Sequence, residues 1–335
     1  DNAENVLEGN VAGDGSLVLK VYFRQEFTVI YNPGTHGDFA AQENPKLRYG
    51  VATPEFKKAA DNVDANGNPK GKPGYTFSYW IPAVEEKVTD NKEYVAFFTA
   101  DEDTKYTIEY YYQVDGSYPE EADNQLTCAG TTDTTAVVKA NEKVPDEAHK
   151  DNYVFDEDAA NILEGTITGD GKLVLKVYFK EQFTVTYTQG DQGAFDDNKH
   201  TGISYNDNVP DYTGEKDANG NPKGQPGYTF TGWKTEAGIE KTDDAKVTTN
   251  IVYVAQWRAN TNTKYTVEYY YEVKGQYPDE TTYKDADRSG ETDTTVEVKE
   301  ADKKPDAEHA RQNYVFDEDN AENVLEGNVA GDGSL

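Results

Sequence analysis

The sequence predicts a strand-dominated α+β fold assembled from small modules in tandem, and three observations predict it. Residues 1–17, DNAENVLEGNVAGDGSL, recur letter for letter as residues 319–335, so the chain reads as a window on a longer repeat array. Apolar and aromatic residues alternate with polar ones at period two, as in YTIEYYYQV at 106–114, which is the pattern of half-buried strands. Helical period is confined to two short stretches, 54–63 and 305–313, each opened by a proline at its first turn.

Two kinds of unit alternate, and their boundaries follow the repeats. Residues 1–24 are the C-terminal part of a first-type unit, followed by a second-type unit at 25–102. A complete first-type unit spans 103–180, a second-type unit 181–260, and a first-type unit without its last strand 261–335. At about 80 residues each is a plausible small domain.

In order along the chain, LVLKVYF at 17–23 alternates Leu17, Leu19, Val21 and Phe23 inward with Val18, Lys20 and Tyr22 outward. Gly13 and Gly15 of the preceding GDG are assigned the positive-φ positions of a tight hairpin. FTVIY at 27–31 continues as the next strand after almost no linker. DANGNPKG at 64–71 and again at 217–224 places Asp, Asn and Asn where a calcium loop begins. Pro69 and Pro222 stand where such a loop needs Gly, no Glu closes it, and an Asn-Gly turn is the better reading. YTFSYW and EYVAFF close the first such unit, YTFTGW and VYVAQW the second. In YTIEYYYQV, Tyr106, Ile108, Tyr110, Tyr112 and Val114 share the core face, leaving Thr107, Glu109, Tyr111 and Gln113 outside.

Sixty-three acidic against 32 basic side chains give a net charge of −31, which repels nucleic-acid phosphates and anionic membrane surfaces. Twenty-five tyrosines supply the aromatic surface that disordered chains lack. The single cysteine forms no internal disulfide, and no apolar run is long enough for a membrane span or a signal peptide.

The first-type units, through YTVEYYYEV and VLEGNVAGDGSLVLKVYF, resemble the MucBP (mucin-binding protein) domains of Gram-positive surface proteins. The second-type units, through FTVTY, GYTFTGW and YVAQW, are similar to the internalin-type B repeat, also called the Listeria-Bacteroides repeat. The first copy departs from that pattern, with Tyr79 in place of Gly232 and Phe98 in place of Trp257. The resemblance implies β-grasp-like modules strung into an elongated rod on an adhesin, outside the cell at the surface or wall of a Gram-positive bacterium.

No nucleophile elbow, phosphate loop or zinc-protease motif appears, so the chain reads as a non-enzyme with no cofactor and no metal site. Cys128 falls where the sister unit has Arg288, which makes it an incidental thiol. His36, His149, His200 and His309 have no second ligand at metal spacing. Tyr111 and Tyr270 lie on the outward side of their strands, either to meet glycan or to cover a neighbouring module.

The chain is therefore expected to be the repeat stalk of a surface adhesin, projecting a binding region from the cell and weakly contacting mucin or another host glycoprotein. Its alternative is a subunit of a head-to-tail extracellular filament. There Val18, Leu19, Lys20, Val21, Tyr22 and Phe23 of one chain would complete the last module of the next by strand addition, although a cut through a continuous array leaves the same ends. With Lys and Asn throughout, the sequence places no Lys–Asn isopeptide bond.

Overall fold

Strands account for 39% of the protein and helices for 3%, so side-chain alternation governs its local structure. The computed structural model describes residues 3–335. Two compact units divide it: Asp1–Tyr112, Tyr118–Glu147 and Phe155–Phe179 form one, and Gln113–Ser117, Ala148–Val154 and Lys180–Leu335 the other.

The elements in chain order begin with β1 (Phe27–Asn32), β2 (Gln42–Leu47), β3 (Tyr75–Ile81) and β4 (Lys92–Ala100). These make a four-stranded sheet of order β2-β1-β4-β3, in which β1 and β4 run parallel and the outer pairings are antiparallel. Alternation decides the faces: Phe27, Val29 and Tyr31 of β1 are buried, as are Tyr94, Ala96 and Phe98 of β4. Val88, Leu47, Phe56 and Trp80 close this core, with the Trp80 ring set edge-on to Tyr31 at 4.8 Å and 64°. Burying one such ring removes roughly 150–250 Å² from water, which at about 25 cal/mol per Å² contributes up to about 4–6 kcal/mol.

Next come β5 (Thr104–Tyr112), β6 (Asn124–Gly130), β7 (Thr135–Val137), a 3-10 turn at Ala140–Lys143, β8 (Tyr153–Phe155), β9 (Glu164–Thr166) and β10 (Val174–Glu181). They form a sheet of order β6-β5-β10-β8 and a small β7-β9 ladder. β10 lies parallel to β5, from Val174 opposite Thr107 to Phe179 opposite Tyr112. Its Leu175, Val177 and Phe179 are fully buried, the face that alternation assigns to LVLKVYF.

A single residue separates β10 from β11 (Phe183–Thr188), which is followed by β12 (Asn198–Ile203), β13 (Tyr228–Thr235) and β14 (Ile251–Ala259). Their order β12-β11-β14-β13, their parallel central pair and the bulge in β13 repeat those of the first sheet. Tyr187 sits at the centre of this core against Tyr212, Trp233 and Tyr253. Last are β15 (Thr263–Tyr269), β16 (Tyr283–Gly290), β17 (Thr295–Glu297), α1 (Ala307–Arg311) and β18 (Glu326–Asn328), which make two two-stranded ladders, β15-β16 and β17-β18.

Helix is scarcer than the sequence suggests. Residues 54–63 are not helical, because side chains take the backbone groups that a helix would use. Tyr31 Oη donates to Pro54 O at 2.7 Å, and the Gln42 amide both accepts from Lys57 N (2.7 Å) and donates to Lys57 O (3.0 Å). Phe56 is thereby drawn against the core as an extended segment. Within 305–313 a helix does form, α1, capped by Asp306, which accepts from Glu308 N and His309 N. These bonds, that from His309 N first, hold the Asp306 carboxyl down at about 2.

The GDG turns also differ from expectation. Gly15, Gly171 and Gly333 have φ of 72°, 70° and 75°, whereas Gly13, Gly169 and Gly331, the first glycine of each turn, do not enter the left-handed region.

The hexapeptide VLKVYF occurs at 18–23 and 174–179 in different surroundings, which supplies an internal control. Leu175→Ala is expected to cost about 3 kcal/mol in urea denaturation, whereas Leu19→Ala, at a side chain 53% exposed, should stay within about 0.5 kcal/mol.

Candidate functional site

The best-defined polar constellation of the first unit lies where the β1–β4 sheet meets the β5–β10 module. Residues 101–103 alone connect β4 to β5, so the junction must be held by contacts across it. Asp101 N donates to Gly74 O at 2.8 Å and Thr132 N to Asp101 O at 2.9 Å, tying the β3 turn, the connector and the β6–β7 turn together. Two buried threonines, Thr104 and Thr132, share a hydroxyl hydrogen bond of 2.7 Å, and Thr76 Oγ1 donates to Asp101 Oδ1 at 2.6 Å. Tyr75 Oη donates to the Asp133 carboxylate, whose backbone adopts φ 63°, a conformation that Asp tolerates better than most residues. That hydrogen bond, ahead of burial, pushes the Tyr75 phenol up to about 12.

Close approach of backbones completes the joint. A Cβ on Gly169 would lie 1.9 Å from Pro73 O, and one on Gly74, itself at φ +81°, would lie 2.4 Å from Gly169 Cα. The first glycine of the GDG turn therefore serves module contact, not turn conformation.

The second unit repeats the arrangement in its own residues. Asn260 N donates to Gly227 O (2.8 Å) and Thr292 N to Asn260 O (2.9 Å). Thr263 and Thr292 share a 2.6 Å hydroxyl bond, and Tyr228 Oη donates to Asp293, again at positive φ (61°). A Cβ on Gly331 would meet Pro226 O at 2.0 Å. Asp101 becomes Asn260 in this copy, yet the Thr229 hydroxyl still donates to its side-chain oxygen.

The other sequence-level candidates fall apart in space. Tyr111 is not an outward aromatic: it is 3% exposed, stacked on Tyr178 at 4.6 Å and 16°, beneath the Lys176 ammonium. Alternation does put it on the second face of β5, but β10 brings Tyr178 alongside in register and covers it. Burial, then its bond to Glu109, raises its phenol. Tyr270 is 44% exposed and donates to Glu268 at 2.8 Å.

Residues 18–23 form no strand; Lys20 bridges Val6, and Phe23 is 93% exposed. Beside β15 runs an open groove of about 2080 Å³, lined among others by Tyr265, Val267, Tyr269, Val296, Phe316 and Leu335.

In the DANGNPKG loops the first Asp is turned onto its own backbone. Asp64 Oδ1 accepts from Asn66 N and Asn68 N, both at 2.9 Å, and Asp217 repeats both bonds. Each closes an Asx turn around Gly67 or Gly220 at positive φ. Among the described residues no group of three or more His, Cys, Asp or Glu is placed to hold a metal ion. His36 and His309 instead stack on Tyr75 and Tyr271 at 3.9 and 3.6 Å. Cys128 sits opposite Tyr106 in the β5–β6 ladder, and Arg288 occupies the same rung of β15–β16, where it pairs with Asp285 and Asp302. No helix among the described residues is long and apolar enough to cross a membrane.

Neither protein-family models nor curated proteins give a match to this chain.

Gly169→Val is expected to force the joint apart and destabilise the first unit by about 1–3 kcal/mol, splitting a single calorimetric transition into two. Because the Tyr75 phenol is raised in the folded state, the stabilisation it confers is complete below its ordinary value near 10 and lost as pH rises through about 12. Tyr75→Phe should flatten that alkaline limb of a pH–melting curve. Tyr111→Ala should cost about 3 kcal/mol, while Tyr270→Ala should leave the melting temperature unchanged, so only the latter tests glycan contact cleanly.

Proposed function

We propose that the chain is a load-bearing stretch of the repeat stalk of a Gram-positive surface adhesin, holding a binding region away from the cell wall. The observation that carries this reading is the duplicated joint. The same glycine pair, threonine pair and Tyr–Asp bond recur at 73–133 with 169 and at 226–293 with 331. A chain selected for a catalytic pocket has no reason to repeat a joint, whereas a shaft needs every joint to resist bending. The 2-1-4-3 order of the first and third sheets, with parallel central strands, agrees with β-grasp-like modules. Resemblance to MucBP domains and internalin-type B repeats supports an extracellular setting. The net charge of −31 argues against nucleic-acid partners. In this reading the chain is not an enzyme, and any contact with mucin or other host glycoproteins is weak and gains by repetition.

A second reading, a filament subunit completed by strand addition, is favoured by one observation. VLKVYF at 18–23 is exposed, and the same six residues at 174–179 fill the place between β5 and β8 that corresponds to the groove beside β15. That groove suits a parallel VLKVYF strand, whether from the continuation of a longer chain or from a second copy.

Small-angle scattering of the 335-residue chain is expected to show an elongated particle with little flexibility, and a compact one would overturn the stalk. Mucin retention should rise steeply between fragments of one, two and four modules if the repeats themselves adhere. A synthetic LVLKVYF peptide that leaves the 263–335 amide signals unshifted would remove the strand-addition reading.

A further inference from the structure

The two equivalent sheets have matching core residues, each in its own core, but outward faces of contrasting chemistry. On the first, the ladder brings Tyr79, Ile81, Val95 and Phe97 together, with Tyr79, Ile81 and Phe97 exposed by 52%, 48% and 40%. The Tyr79 and Phe97 rings stack on each other at 4.8 Å and 22°. Glu43, opposite Ile30, and Glu93, the next outward residue of β4, flank them. Lys46 lies in the bulge of the β1–β2 ladder, outside its paired positions.

On the sheet of β11–β14 the same positions are Gly232, Lys234, Val254 and Gln256. Lys199 stands opposite Thr186 where the first sheet has Glu43 opposite Ile30, and Arg258 replaces Thr99. Outward paired positions here carry three cations and no acid, although Lys234 also reaches Glu240 at 3.3 Å. Aromatic rings with two carboxylates toward one end thus occupy one face, and ammonium and guanidinium groups the other.

We propose that the outward face of the β2-β1-β4-β3 sheet binds the outward face of the β12-β11-β14-β13 sheet of a second copy, associating chains side by side. Charge selects this pairing. Two first faces would set Glu43 and Glu93 against each other, and two second faces would oppose their cations; only the crossed pairing matches signs and lays Arg258 or Lys234 over Tyr79 and Phe97. Four strands about 4.8 Å apart and five residues deep bury roughly 600–800 Å² in all, below a standard stable interface. A single contact is therefore weak, and because unlike faces meet, the association is open-ended and strengthens with the number of contacts. It holds independently of the stalk reading.

The test uses the whole chain in sedimentation experiments up to about 500 µM, with two variants that exchange residues the same backbone already carries. Y79G/F97Q gives the first sheet the second's residues, and K199E/R258T does the reverse. Wild type is expected to self-associate with concentration. Each variant alone should associate at least about tenfold more weakly, and an equimolar mixture of the two should recover a 1:1 complex through the remaining intact faces. Unchanged circular dichroism of both variants secures the comparison. A wild type that stays monomeric throughout, variants that associate as well as wild type, or a mixture that fails to recover would each overturn the proposal.

Discussion

The structure depends on a steric constraint: at the joint, Pro73–Gly74 and Gly169 pack backbone to backbone with no room for a Cβ, and Pro226–Gly227 and Gly331 do the same. That proximity brings Thr104 against Thr132 and Tyr75 against Asp133, short polar contacts that longer side chains would have held apart. It also explains how a three-residue connector serves as a firm link. Backbone hydrogen bonds from Asp101 and Thr132 turn it into part of the two modules it joins, so bending there has to break several bonds at once. Burial of the threonine pair removes water as a competing partner.

Duplication separates what the fold requires from what it leaves free. Phe27, Val29, Tyr31 and Tyr94 become Phe183, Val185, Tyr187 and Tyr253, unchanged in identity, because an aromatic core packed at crystal-like density tolerates little change of shape. Both Tyr31 and Tyr187 place a hydroxyl on a proline carbonyl, at 54 and 210, fixing the crossover in an extended form in each copy. Outward positions have no such constraint, and there the copies diverge in size and in sign of charge. Tyr79 against Gly232 and Glu43 against Lys199 differ on one backbone, so the fold does not dictate these residues.

Alternation along one strand was legible wherever a single sheet face governs burial. Leu175, Val177 and Phe179 lie on the face their spacing assigns, and strand content dominates. Tyr111 shows the limit of that reading: a strand with both faces covered has no outside, and which neighbour covers it is a matter of register, here Tyr178 delivered by β10 from 67 positions along the chain. The stretch at 54–63 shows a second limit. Its helical pattern is overridden by Gln42 and Tyr31, which reach its backbone from strands elsewhere in the sequence.

By itself the sequence determined the repeat, the strand period, the aromatic supply for the cores and the acidic surface, because each is a local or compositional property. It also marked every glycine of the GDG turns without distinguishing their tasks. Only the tertiary structure decided that the second glycine makes the turn and that the first, at 169 and 331, admits the neighbouring module, since the clash it avoids there is with Pro73 or Pro226, residues distant along the chain. The same holds for the contrasting chemistry of the two sheets' outward faces: a face is a set of residues from four strands, and it exists only once pairing has set their register.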